Sequence, residues 1–172
     1  EGYDTLRDRL RALVTLGGFL LEIGQGDLAE RAYEAALEHL DEPYFRLFAL
    51  DGYAHAAALR GDRTMYEDRL RTLESEDWRP GGPDFTGQVY LYRGRAWTLL
   101  GERAEARAWF ERSLRWCEDH GLAATLFAAQ AGLDRLDASE PSDGTGDSLE
   151  PSAARALAGR LDRVGAALAA VS

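Results

Sequence analysis

Apolar residues recur every three or four positions along most of the chain, which is the spacing of one face of an α-helix. Glycines and short charged or proline-containing stretches interrupt this pattern and divide the chain into eight predicted helices. The helices are expected at about residues 4–23, 27–40, 43–60, 62–75, 84–100, 103–119, 122–137 and 152–170. Alternating runs rich in Val, Ile and Thr are absent, so the pattern predicts no strand.

Three segments of the chain share one internal spacing. Each contains, in the same order, a small residue inside the first apolar stripe, a glycine at the turn, and a large apolar residue in the second stripe. These residues are Gly17, Gly24 and Tyr33 in the first unit, Ala54, Gly61 and Leu70 in the second, and Gly94, Gly101 and Phe110 in the third. The small residue lets a neighbouring helix approach closely, and the glycine tolerates the positive φ that ends a helix. Asp27 and Asp62 are predicted to cap the helices that follow, with Glu30 completing a capping box after Asp27.

This spacing resembles the tetratricopeptide repeat, whose signature is W-x2-L-G-x2-Y followed by A-x3-F-x2-A and a closing proline. The resemblance covers roughly residues 10–120. It implies an all-α, right-handed superhelical solenoid of antiparallel helix pairs, with three repeats, a capping helix at 122–137 and a separate C-terminal helix. The units begin at residues 13, 50 and 90, so they are 37 and 40 residues apart instead of 34. Asp41 and Trp78 occupy the places where the family has its closing proline.

In the tetratricopeptide family, the first helix of each pair lines a concave groove that binds peptides or helices. The resemblance therefore implies a peptide- or protein-binding site made from apolar, charged and aromatic residues of the three first helices. The predicted binding residues are Val14, Leu21, Phe48, Asp51, His55, Gln88, Leu91, Tyr92 and Arg95. Some family members hold a C-terminal carboxylate with Lys and Asn at such positions. This chain contains neither residue type, which argues against that ligand class.

The segment after the predicted capping helix changes character. Residues 138–150 are polar, acidic and glycine-containing, and we interpret them as a flexible linker between a repeat domain at 1–137 and an amphipathic helix at 151–172. Apolar residues of that helix are spaced alternately three and four apart, as in a heptad seam. Leu157, Leu161, Val164 and Leu168 are the residues expected to dock on the repeats or to pair with a second copy in a homodimer.

Composition narrows the class of partner. The net charge of −10 disfavours nucleic acid, because an acidic surface repels phosphates. No apolar run is long enough to span a membrane, and the single Cys117 fits a reducing cytoplasm. All basic residues are arginine and asparagine is absent, a bias typical of a GC-rich bacterial genome. No catalytic constellation, metal-ligand spacing or cofactor motif is found, so we predict no enzyme activity, no metal site and no cofactor.

These patterns favour a cytoplasmic scaffold or adaptor that binds a protein partner through its groove. Two alternatives remain open. The chain begins at Glu1 instead of Met, which fits a sensor or regulatory module cut from a larger bacterial transcriptional regulator. The heptad seam fits a self-assembly module that acts through the C-terminal helix.

Overall fold

The computed structural model describes residues 5–138 and 151–169, and these residues form helices joined by short turns. The helices are α1 (Leu6–Glu22), α2 (Gly26–Leu37), α3 (Pro43–Leu59), α4 (Arg63–Glu74), α5 (Gly82–Leu99), α6 (Arg103–His120), α7 (Ala123–Asp137) and α8 (Pro151–Ala169). A 3-10 turn at Arg79–Gly81 precedes α5, and the described residues contain no strand. The predicted all-helical class is therefore confirmed. The predicted linker, apart from Ala138, lies outside the described residues.

Glycines with positive φ separate several of the helices. Gly24, Gly61 and Gly101 have φ values of 73°, 72° and 81°, so all three turn glycines predicted from the repeat spacing adopt the left-handed conformation. Asp62 caps α4 as expected, because its carboxylate accepts a hydrogen bond from the Met65 amide at 3.0 Å. The prediction for Asp27 is wrong, since α2 begins one residue earlier and Gln25 is its N-cap.

Two aromatic rings fill the space that glycines leave between helices. Tyr33 on α2 packs against Gly17 on α1 and Gly52 on α3, where an added Cβ atom would lie 2.6 Å and 2.2 Å from the ring carbon Cζ. Phe110 on α6 lies in the same way between Gly94 on α5 and Gly132 on α7. Each ring thus joins three consecutive helices.

Helix neighbours follow the order of the chain. The helix α1 packs on α2, α2 on α3 and α3 on α4, and in the second half of the chain α5 packs on α6 and α6 on α7. The odd-numbered helices also contact one another in succession, from α1 to α3, α3 to α5 and α5 to α7. The helix α8 packs on α2. This arrangement places α1, α3 and α5 side by side, and the candidate site lies between them.

Candidate functional site

An open pocket with a volume of about 400 Å³ lies where α1, α3 and α5 meet. Its lining combines aromatic, aliphatic and polar side chains from these three helices with one ring from α2. The lining residues are Val14, Thr15, Gly18, Leu21, Tyr33, Tyr44, Phe45, Phe48, Asp51, Gly52, His55, Gln88 and Tyr92.

Helical spacing explains why these residues meet. Val14, Gly18 and Leu21 are four and three residues apart, so they share one face of α1. On α3 the series Tyr44, Phe48, Asp51 and His55 follows the same rule, and on α5 Gln88 and Tyr92 are four apart. Gly18 carries no side chain, which leaves room for the pocket beside the Tyr33 hydroxyl, whereas the space beside Gly52 is filled by the Tyr33 ring.

Aromatic rings form one wall of the pocket at the start of α3. Tyr44 lies 5.4 Å from Phe45 and 4.9 Å from Phe48 between ring centroids. Phe48 in turn packs edge-on against the buried Phe85 at 5.1 Å. Because Phe85 is fully buried, it fixes the inner edge of this wall, whereas Tyr44 is 43% exposed and faces solvent.

The most unusual group in the pocket is the carboxylate of Asp51. Asp51 is only 8% exposed, and no side chain or backbone group in the described part of the chain hydrogen-bonds to its carboxylate. Burial raises the pKa of Asp51 to about 7, against a smaller opposing effect of the Arg93 charge. A buried carboxylate without a partner is costly, because desolvation is not repaid by hydrogen bonds.

His55, one helical turn from Asp51, is a second buried polar group. Its Nδ1 atom is buried and has no hydrogen-bond partner among residues 5–138 and 151–169. Burial lowers the pKa of His55 to about 4, the nearby Arg95 charge acts in the same direction, and a hydrogen bond with the Tyr92 backbone opposes both. His55 is therefore neutral at neutral pH, and its ring packs edge-on against Tyr92 at 5.4 Å.

Charged groups at the rim of the pocket are paired. The Tyr92 hydroxyl donates a hydrogen bond to Glu22 Oε1 at 3.2 Å, and Arg95 lies 3.5 Å from the same oxygen. The Arg95 guanidinium also lies 5.2 Å from the Tyr92 ring centroid. Burial and the Glu22 charge raise the pKa of Tyr92 to about 12, so this hydroxyl remains a donor at neutral pH.

Most of the predicted binding residues lie together. Val14, Leu21, Phe48, Asp51, His55, Gln88 and Tyr92 all line the pocket. Arg95 lies at the rim, paired with Glu22. Leu91 does not face the pocket: it is 5% exposed and packs in the cluster that α6 and α7 form around Phe110. Tyr44 and Phe45 also line the pocket and were not predicted from the sequence, although Tyr44 is four residues from Phe48 and this spacing could have revealed it.

The predicted seam of the C-terminal helix packs on the same chain. Leu161 and Leu168 are buried, and Leu157 and Val164 are half-buried, in the cluster that contains α1 and α2. Arg31 on α2 binds the Asp162 carboxylate at 3.0 Å. Among the described side chains of α8, none lines the pocket.

Two further findings concern metal binding and membrane crossing. Within residues 5–138 and 151–169, no group of three or more His, Cys, Asp or Glu side chains could hold a metal ion. None of the described helices has both the length and the mean hydropathy that crossing a membrane requires.

No protein-family model, curated protein or solved structure matches this chain.

Proposed function

We propose that this chain is a tetratricopeptide-type solenoid of antiparallel helix pairs, and that it binds a peptide or helical segment of a protein partner in the groove between α1, α3 and α5. The contacts between consecutive helices and between successive odd-numbered helices support this architecture. The glycine–aromatic packing around Tyr33 and Phe110, repeated in the first and third units, supports a common origin for the helix pairs.

The observation that carries the proposal is the pocket itself. It combines an aromatic wall that reaches solvent at Tyr44 with two polar groups, the Asp51 carboxylate and His55 Nδ1, that have no hydrogen-bond partner among the described residues. Binding sites typically pair apolar lining with a few placed polar groups, because apolar burial supplies affinity and polar contacts supply orientation. Apolar packing alone would not require Asp51 here.

Selection from a displayed library of random dodecapeptides, followed by titration of the selected peptides, tests the proposal. Tyr44→Ala removes an exposed ring from the pocket wall, and we expect it to weaken binding of the selected peptides about tenfold or more, as aromatic anchors do. Phe127→Ala is the matched control, because Phe127 is 71% exposed on α7 and lies outside the pocket. Failure to select any peptide, or equal effects of the two substitutions, would contradict groove binding.

One observation favours a second candidate. A pocket of about 400 Å³ falls in the size range of small-ligand sites, roughly 300–1,000 Å³, so a sensor module that holds a small molecule is the alternative. A small-molecule screen by thermal shift separates the two: ligands that stabilise the protein, with no peptide selected, favour the sensor. Self-assembly through α8 has less support, because its seam is already packed on α2.

A further inference from the structure

We propose that the pocket receives an arginine side chain of the bound peptide, whose guanidinium pairs with Asp51 while the pocket's aromatic rings pack against it. This inference rests on the proposed function and specifies the chemistry of the partner at the same site. It follows from how the protein holds five of its own arginines, from the position of Asp51 in the pocket, and from the lack of a hydrogen bond or ion pair to Asp51 among the described residues.

Five arginines of the chain share one arrangement, in which the guanidinium lies over an aromatic ring and pairs with a carboxylate. Arg69 lies 3.5 Å from the Tyr53 ring centroid and pairs with Glu30. Arg93 lies 4.7 Å from the Trp109 centroid and binds Glu74 at 2.9 Å. The same combination holds Arg11 with Phe45 and Glu42, Arg63 with Trp97 and Glu67, and Arg95 with Tyr92 and Glu22.

The pocket contains two of these three components. Its rings come from Tyr44, Phe48 and Tyr92, and its carboxylate comes from Asp51, which is buried at 8% exposure. No ion pair or hydrogen bond reaches that carboxylate from any residue in the described ranges. What is missing is the cation.

Neither of the neighbouring arginines binds the Asp51 carboxylate. Arg93 acts on Asp51 through its charge, but only its Nη1 atom is paired, with Glu74, and its Nε and Nη2 atoms form no hydrogen bond with Asp51 or with any other described residue. Arg95 lies at the rim, held by Glu22 and the Tyr92 ring. A cation from a partner would therefore find Asp51 unoccupied.

The chemistry of the pocket favours arginine over lysine. A guanidinium is planar and weakly hydrated, so it stacks on rings and enters a desolvated site at lower cost than an ammonium. Its several N–H donors can also serve two acceptors at once, and His55 offers a buried, unpaired Nδ1 atom one helical turn from Asp51. Lysine presents a compact, strongly hydrated charge that uses the aromatic walls less well.

The test uses the peptides selected for groove binding. Their sequences should be enriched in arginine, and replacing that arginine by the neutral isostere citrulline should weaken binding about tenfold to a hundredfold, the range for a charge-assisted hydrogen bond. Asp51→Asn should abolish the preference for arginine over citrulline. This variant removes a buried unpaired charge, so it should keep the fold, which circular dichroism verifies. Asp68→Asn is the control, because Asp68 is an exposed carboxylate on α4 outside the pocket lining.

The outcomes separate this inference from the proposed function. If no peptide is selected, both fail. If Tyr44-dependent peptides are selected but citrulline binds as well as arginine, the groove function stands and the arginine pocket is refuted. If lysine replaces arginine without loss of affinity, the site recognises only a positive charge, and the preference for a guanidinium is refuted. If N-acetylarginine amide alone binds as tightly as the peptides, the occupant is a small molecule and the peptide source is refuted.

Discussion

The paired glycines at 17 and 18 provide the sharpest test of the packing, because they are neighbours on α1 with opposite surroundings. A Cβ atom at Gly17 would lie 2.6 Å from Tyr33 Cζ, which is closer than atoms can approach. At Gly18 the nearest atom of another helix is the Tyr33 hydroxyl oxygen at 3.8 Å, an ordinary contact. We therefore expect Gly18→Ala, the control, to stabilise the protein. We expect Gly17→Ala to be less stable than Gly18→Ala.

The magnitude follows from two opposing effects. Alanine in place of glycine inside a helix contributes about 1 kcal/mol at either site, because it reduces the backbone entropy lost on folding. At Gly17 an overpacking cost of about 1–3 kcal/mol opposes this gain. The Tyr33 ring has little room to move away from α1, because Gly52 lies against its other side, where an added Cβ atom would be 2.2 Å from Tyr33 Cζ. The difference between the two variants therefore isolates the overpacking, at about 1–3 kcal/mol.

A double variant shows whether the ring is the cause. The second unit has Ala54 and Leu70 at the positions of Gly17 and Tyr33, and both lie in one buried cluster. Gly17→Ala combined with Tyr33→Leu installs that pair in the first unit. We expect the double variant to be more stable than the sum of the single changes predicts, with a coupling energy of about 0.5–3 kcal/mol.

Urea denaturation followed by circular dichroism measures all four variants. If Gly17→Ala stabilises the protein as much as Gly18→Ala does, the close contact with Tyr33 is wrong. If the single changes simply add in the double variant, the destabilisation at Gly17 does not come from the ring.

Two further predictions concern α8 and Asp51. Leu161→Ala should lower the opening free energy of α8, measured by amide hydrogen exchange, by about 2–5 kcal/mol, because Leu161 is buried. Asp162→Asn should lower it by less than about 1 kcal/mol, because the pair of Asp162 with Arg31 is exposed. Equal effects of the two substitutions would contradict the docking of α8 on α2. Asp51→Asn should stabilise the protein relative to wild type, and this stabilisation should be up to about 4 kcal/mol larger at pH 8 than at pH 4. The reason is that Asp51 has a pKa of about 7 in the folded protein but near 3.8 in the unfolded chain, so the unfolded chain releases the proton at lower pH. In the wild type, the contribution of Asp51 to stability therefore falls as the pH rises from about 4 to about 7. His55, with a pKa of about 4 in the folded protein, makes stability rise with pH, but it is present in both proteins and does not affect their difference. The other groups that act on Asp51 are Tyr33, Tyr66, Tyr92 and Arg93, which keep their charge states over this range. A stability difference that does not grow between pH 4 and pH 8 would contradict the burial of an unpaired carboxylate.

The helices and their turns could be predicted because they depend on local signals. Apolar spacing determines which face of a helix is buried, and glycine is favoured where φ must be positive. Gly24, Gly61 and Gly101 were located in this way and adopt the expected conformation. Residues three or four apart on α3, such as Asp51 and His55, point in a similar direction, so the sequence could also predict that they line one surface, which is the wall of the pocket.

Features that depend on how the helices pack could not be predicted in the same way. The repeat spacing predicts a close helix approach at Gly17, but it does not identify the Tyr33 ring as the group that leaves no room for a side chain there. Leu91 has the spacing of a groove residue, but α5 is rotated so that Leu91 packs towards α6 and α7. Asp27 has the type and place of a cap, but α2 begins at Gly26 and leaves Asp27 in the first turn.

Asp51 shows why a buried polar group is more informative about function than an exposed one. The chain provides partners for its other deeply buried charges, as Glu30 does for Arg69 and Glu74 for Arg93. Against that rule, an unpaired carboxylate at 8% exposure lowers the stability of the free protein, and replacing it with a neutral residue would remove the cost. Natural sequences retain such costs mainly where function requires them. Asp51 lies in a pocket that is open to solvent and lined by aromatic rings, which is why we propose a partner's cation as the compensating group.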